Sequence, residues 1–184
     1  MKFAVLVTDL AGEKKDISYI SISIRDIEKN DRDNFEKIVL DTISENKGFL
    51  SKNAEANEVL ALFLDALDAV KCALDIKEKT GPVNVIMGIG IHTSATLVNE
   101  GKEELKYASM GNAVATARKI SQQSKNNILI SKDTKLKSGG DLRSRPAGEY
   151  FLAEGISRRE SLRKDVERIV KNIKSEGKGF DVVR

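Results

Sequence analysis

Tyr107-Ala108-Ser109-Met110-Gly111-Asn112-Ala113-Val114-Ala115-Thr116-Ala117-Arg118-Lys119-Ile120 is the segment from which the rest of this chain is read. Gly111 lets a helix in, and the pattern predicts that helix over Ala113 to Gln123. Downstream, Asn127 to Ile130 reads as a strand, and Ser131 to Gly140 as a polar turn. Upstream, Val83 to His92 is apolar at alternate positions with Gly88 and Gly90 between them, the period of a strand. Thr93 to Lys106 is a polar connection with room for a hairpin arm around Asn99-Glu100-Gly101.

Toward the N-terminus, Phe3 to Thr8 reads as an extra buried strand and Asp9 to Asp16 as a turn. Ile17 to Ile24 alternates, with Ile20, Ile22 and Ile24 to one side and Ser21 and Ser23 to the other, as in a strand with one face on a core. Asp31 to Asn46 fits a helix. Phe35, Ile38, Val39, Thr42 and Ile43 share a face, Asp31 or Asp33 is placed to cap the start, and Gly48 follows the end. Phe49 to Phe63 has room for a hairpin turning near Asn53 to Asn57. Its second arm, Val59 to Phe63, is wholly apolar and is expected to be central in a sheet.

Asp65 to Lys79 is a second amphipathic helix, with Leu67, Val70 and Leu74 inward and Gly81-Pro82 as its stop. Cys72 falls within it and reads as a small core residue. Tyr150-Phe151-Leu152 is expected to close the sheet as an edge strand. A last helix is expected from Ser157 to Lys174. Its stripe of Leu162, Val166, Ile169, Val170 and Ile173 either lies on the sheet or serves a partner, and Ser175 to Arg184 is a loose tail.

The element order gives an α+β chain: a ferredoxin-like βαββαβ core with extra strands and a C-terminal helix. One domain over residues 1–184 is expected, with its core at about 17–140.

Of 184 residues, 40% are hydrophobic and 32% charged, with a net charge of +3. Basic residues are interspersed with acids, so no nucleic-acid partner is indicated. A single cysteine excludes an internal disulfide and any cysteine-cluster metal site, which fits a reducing compartment. Met1 to Asp9 lacks the charged region, long apolar core and cleavage site of a signal peptide. No run approaches the roughly 20 apolar residues of a membrane span. A cytoplasmic location is expected.

Four segments together carry a family resemblance. Val59-Leu60-Ala61-Leu62-Phe63, Gly88-Ile89-Gly90-Ile91-His92-Thr93, Tyr107 to Ile120 and Asn127-Ile128-Leu129-Ile130-Ser131 occur in the order and spacing of the class III adenylate and guanylate cyclase catalytic domain. The resemblance spans roughly residues 17–140. It implies the fold above and a chemistry that joins the 3′-hydroxyl of a nucleoside triphosphate to its own α-phosphate. That chemistry needs two Mg²⁺ or Mn²⁺ ions on a pair of carboxylates. An Asn and an Arg on a later helix then orient the ribose and stabilise charge at phosphorus.

At those positions this chain departs from the family. Asp26, in Ile24-Arg25-Asp26-Ile27, matches the first metal-binding Asp, with Asp9 in Thr8-Asp9-Leu10 as the alternative. The second carboxylate is replaced by Asn57, in Ala56-Asn57, whose amide lacks the charge needed to hold a hard ion beside another. Ala115 stands at the catalytic Asn, Lys119 at the catalytic Arg, and Ala108 at a base-reading position. Lysine keeps a charge but not the planar fork. Arg118 is adjacent, but a helix turns about 100° per residue, so it should point elsewhere. Ser94 replaces the glycine that follows His-Thr.

The resemblance therefore implies an inactive module that pairs with itself as a homodimer or with another signalling protein, retaining at most a nucleotide cleft. No cofactor is expected, apart from Mg²⁺ or Mn²⁺ with ATP or GTP if nucleotide binding survives. The alternative is a divergent cyclase in which Glu55 or Glu58 replaces the lost carboxylate. His92 is the only histidine and reads as structural. The acidic run Asp26, Glu28, Asp31 and Asp33 reads as a solvated helix start.

Overall fold

Alternating β-branched residues build the central strand. β1 (Glu13–Ile27) buries Ile20 and Ile22 on one face and turns Tyr19 and Ser21 to the other. The computed structural model describes residues 13–51, 54, 57–98 and 103–157, and of 13–14, 97–98 and 103–110 the backbone alone. Within these residues the other strands are β2 (Phe49–Leu50), β3 (Glu58–Phe63), β4 (Val85–Val98), β5 (Ile128–Ile130), β6 (Leu142–Ala147) and β7 (Tyr150–Ile156). The helices are α1 (Arg32–Glu45), α2 (Ala66–Lys79), α3 (Glu103–Gln123) and α4 (Lys132–Lys137).

One seven-stranded sheet runs β2-β3-β1-β4-β5-β7-β6. Its first four strands, with α1 and α2, are the ferredoxin-like arrangement. β1 pairs antiparallel with β3 and with β4, and its β4 register shifts between Ile24 and Asp26, so a bulge falls at Arg25. β5 joins β4 in parallel.

The two faces of the sheet are covered differently. On one, Ile20, Ile22, Ile89 and Ile91 meet Phe35, Val39 and Ile43 of α1 and Val70, Cys72 and Ile76 of α2. Each such side chain contributes roughly 1.5–3 kcal/mol by leaving water. On the other, α3 rests Ala113 and Ala117 on Ile17, Tyr19 and Leu62. It approaches β4 so closely that a Cβ on Gly88 or Gly90 would run into the backbone of Ala117 to Ser124. That close approach is the role of the Gly-x-Gly pair.

Several expectations need correction. α3 begins at Glu103, ten residues before the expected start, and Gly111 lies in its interior with nothing within 4 Å of a Cβ there. Glycine costs a helix about 1 kcal/mol, which tertiary contacts override. β4 runs on to Val98, because Thr93 and Thr96 are buried hydroxyls satisfied by Ser18 and Tyr19. Glu13 to Asp16 is strand paired with β4 rather than turn. Ser131 to Gly140 holds α4, which Ser131 caps by accepting from the Thr134 N–H.

The Tyr150 strand lies inside the sheet, and the edge is the unforeseen β6, with exposed Arg143, Arg145 and Pro146. Charge and proline on an edge discourage pairing with other chains. In α2 the buried stripe is Ala66, Ala69, Val70, Cys72, Ala73 and Ile76, while Leu67 and Leu74 are only partly covered. Small alanines bring that helix down onto the sheet. Asp65 caps α2 through the N–H groups of Leu67 and Asp68, whereas Asp31 does not cap α1 with its side chain. The Phe3 strand and the helix from Ser157 to Lys174 lie outside the described residues, save Ser157 itself. No described helix is long and apolar enough to cross a membrane.

Candidate functional site

Asp26 and Asn57 lie at the same end of the antiparallel β1–β3 pairing. Asp26 follows the β1 bulge and is exposed. Asn57 precedes β3, and its carbonyl accepts from the Ile24 N–H at 2.9 Å, which sets it opposite Ile24, two residues before Asp26 in β1. Its backbone is left-handed, with φ 62°, a conformation asparagine tolerates better than most residues. The Asn57 Oδ1 accepts a hydrogen bond from Arg32 Nη2 at 3.2 Å. Arg32, at the start of α1, was not singled out from sequence.

Glu58 is the next residue and its side chain is only 7% exposed. Arg118 of α3 grips it as a fork: Nε donates to Oε1 at 2.9 Å and to Oε2 at 3.0 Å, and Nη2 donates to Oε2 at 2.9 Å. Ser21 donates to the same carboxylate at 2.8 Å. Bidentate guanidinium–carboxylate pairs are among the strongest charge-assisted contacts. One signal in the sequence pointed here. A lone glutamate opening an apolar strand, Glu58-Val59-Leu60-Ala61-Leu62-Phe63, requires a partner once that strand is buried.

Glu28 and Asp31 are engaged as well. Asn84, just before β4, donates its side-chain amide to Glu28 at 2.6 Å and its backbone N–H to Asp31 at 3.2 Å. Among the described residues no three of His, Cys, Asp and Glu are grouped to hold a metal ion. Among the described residues, the Asn57 amide is bonded by one guanidinium and the Glu58 carboxylate is gripped by another. They do not fit two hard divalent ions, which need unshared anionic oxygens.

Ala115 and Lys119 are both exposed and lie one turn apart on α3. Lys119 Nζ is 3.6 Å from Glu149 Oε1 in the β6–β7 turn. The charge of Glu149, then that of Tyr150, raises the lysine pKa above its ordinary value. Arg118 points away from this face, into the sheet, as helical rotation demands. The C-terminal end of α3 sits over the β1 bulge, where the Arg25 guanidinium donates to the Gln122 carbonyl. Ala108 falls in the part of α3 described by its backbone alone, and Asp9 and Glu55 lie outside the described residues.

His92 contacts Ser131 Oγ through Nδ1 at 3.1 Å, and Ser131 in turn meets Thr134 at 3.0 Å. Burial lowers its pKa below the ordinary histidine value, while Asp133 opposes the shift. Cys72 is buried, and desolvation pushes its thiol up to about 12. A shallow groove of about 320 Å³ lies between α1 and the β2–β3 hairpin, with Arg32 and Glu36 beside Leu40, Leu50 and Val59.

This sheet order, with α1 and α2 on one face and α3 on the other, is the fold of nucleotide cyclase catalytic domains. The guanylyl cyclase domain of the RhoGC fusion protein from the fungus Blastocladiella emersonii, a double mutant in monomeric form, superposes with a TM-score of 0.60 and 17% identity. The match covers 78% of this chain and 97% of that one. An adenylate/guanylate cyclase/hydrolase from Silicibacter pomeroyi gives 0.56 at 15% identity, over 77% and 95% of the two chains. A Trypanosoma brucei adenylate cyclase gives 0.57 at 11% identity, over 75% and 87%. No family model and no curated protein sequence matches the chain. The likeness is one of shape.

Proposed function

We propose that this chain is a class III cyclase-like domain that does not turn over nucleotide and works in the cytoplasm by association. Its partner is a second copy of itself or another signalling protein. The observation that carries this reading is the state of the residues around Asn57. Where the family places a second metal-binding carboxylate there is an amide bonded to Arg32, and the adjacent Glu58 is neutralised by Arg118.

The later helix supports the same reading. Ala115 offers no hydrogen-bonding group, and Lys119 lies beside the chain's own Glu149. Losing an oxyanion-type donor typically costs 10²–10³ in rate, and here a carboxylate, an amide and a guanidinium are all replaced. Association is supported by the scaffold, because cyclase active sites are assembled across a dimer. A second structure of the fungal guanylyl cyclase domain is a non-canonical dimer.

Incubating the purified chain with ATP or GTP and Mn²⁺ tests the catalytic half of the proposal; cyclic nucleotide formation overturns it. Sedimentation tests the associative half, and a monomer at high concentration counts against self-pairing. Calorimetric titration with ATP then separates a nucleotide-holding module from one that has kept only its shape.

A further inference from the structure

α3 is attached by a different kind of contact from α1 and α2. Those helices share a continuous apolar cluster with the sheet. α3 buries Ala113, Ala117 and Ile120 among its described side chains, and much of its remaining seat is polar. Ser121 Oγ lies 3.0 Å from Ser21 Oγ, and the Ser121 carbonyl accepts from Ser23 at 3.2 Å. Ser21 and Ser121 are buried, and such hydroxyl contacts are worth only about 0.5–1.5 kcal/mol each. The Arg118–Glu58 fork, reinforced by Ser21, is a directed ion pair in this seat, and Arg25 adds a charged bond to the Gln122 carbonyl at the helix end.

We propose that the Arg118–Glu58 pair is a latch. It fixes α3 in one seat on the sheet, and its opening releases the second half of α3 as a unit while the α1–α2 side stays folded. Two features support separate opening: a small apolar contact among the described side chains and one partly accessible ion pair with Arg118 25% exposed. A segment with few buried apolar contacts belongs at the low-stability end of a fold. The latch goes beyond the proposed function, since it holds whether or not the chain binds or converts nucleotide, and the assays above neither support nor sink it.

Native-state hydrogen exchange on the full chain tests it, using wild type, Arg118→Met, Glu58→Gln and the paired variant Glu58→Leu with Arg118→Met. In wild type, amides from Ala113 to Gln123 should exchange through an opening that leaves α1 and α2 protected. Each single variant should speed exchange in α3 about 10- to 100-fold without changing Val39 to Ile43 or Val70 to Ile76. The paired variant should restore slower exchange, because no buried charge is left alone. Acceleration of all three helices together, or none in α3, overturns the proposal. If the single variants do not fold, wild type decides: exchange of α3 only through global unfolding refutes the latch, and a separate α3 opening supports it.

Discussion

Asn57 Oδ1 accepts from Arg32 Nη2 at 3.2 Å while the Asn57 backbone holds φ 62°. The residue is therefore constrained twice, by its conformation and by its side-chain bond, and the two constraints separate under substitution. Glycine keeps the backbone and loses the bond, so Asn57→Gly should fall within about 0.5 kcal/mol of wild type, the bond being exposed. Asn57→Val loses both and should cost about 1–3 kcal/mol. Urea unfolding checks this, and equal losses would place the restraint in the Arg32 bond.

Gly90 and Gly111 should respond to alanine in opposite directions. A Cβ on Gly90 meets the backbone of Ala117 and Ser121, so Gly90→Ala should cost at least the roughly 1–3 kcal/mol of an overpacked core. Gly111 is exposed inside α3 with open space around it. Gly111→Ala should stabilise by about 0.5–1 kcal/mol. Thermal melts of the two variants read both signs.

Much of the fold was legible because β1, α1 and β4 carry clean periods and β3 is wholly apolar. Ile20 and Ile22 at every second position, and Phe35, Val39 and Thr42 at helical spacing, leave little choice of face. β6 was invisible because Leu142-Arg143-Ser144-Arg145-Pro146-Ala147 has no apolar alternation, being an edge strand half exposed to water. The early start of α3 was hidden by Gly111, a turn signal overridden by the helix around it. The site was legible as a list of residue types but not as contacts. Arg32 with Asn57 and Arg118 with Glu58 join distant parts of the chain, and no local pattern encodes such pairs.

His92 links stability to pH. Its folded pKa lies below its unfolded value of about 6.5, so the unfolded chain binds more protons in that window. The stabilising contribution is full above about pH 6.5 and is lost as pH falls toward the folded pKa. Wild type should therefore lose more stability than His92→Gln between about pH 7.5 and 5.5. A smaller loss in wild type would mean that the imidazole is held protonated.

Cys72 is buried with its thiol pushed up to about 12, so at neutral pH almost no thiolate is available to react. A thiol reagent should label the native chain only at the rate of opening, and denaturant should make labelling immediate. Rapid labelling of the native chain would show that α2 does not stay seated.

The most direct test of the central claim is cyclic nucleotide formation by the purified chain with ATP or GTP and Mn²⁺. The arrangement around Asn57, Glu58 and Lys119 predicts none above a protein-free blank. Product formed by wild type and abolished by Asp26→Ala would contradict it.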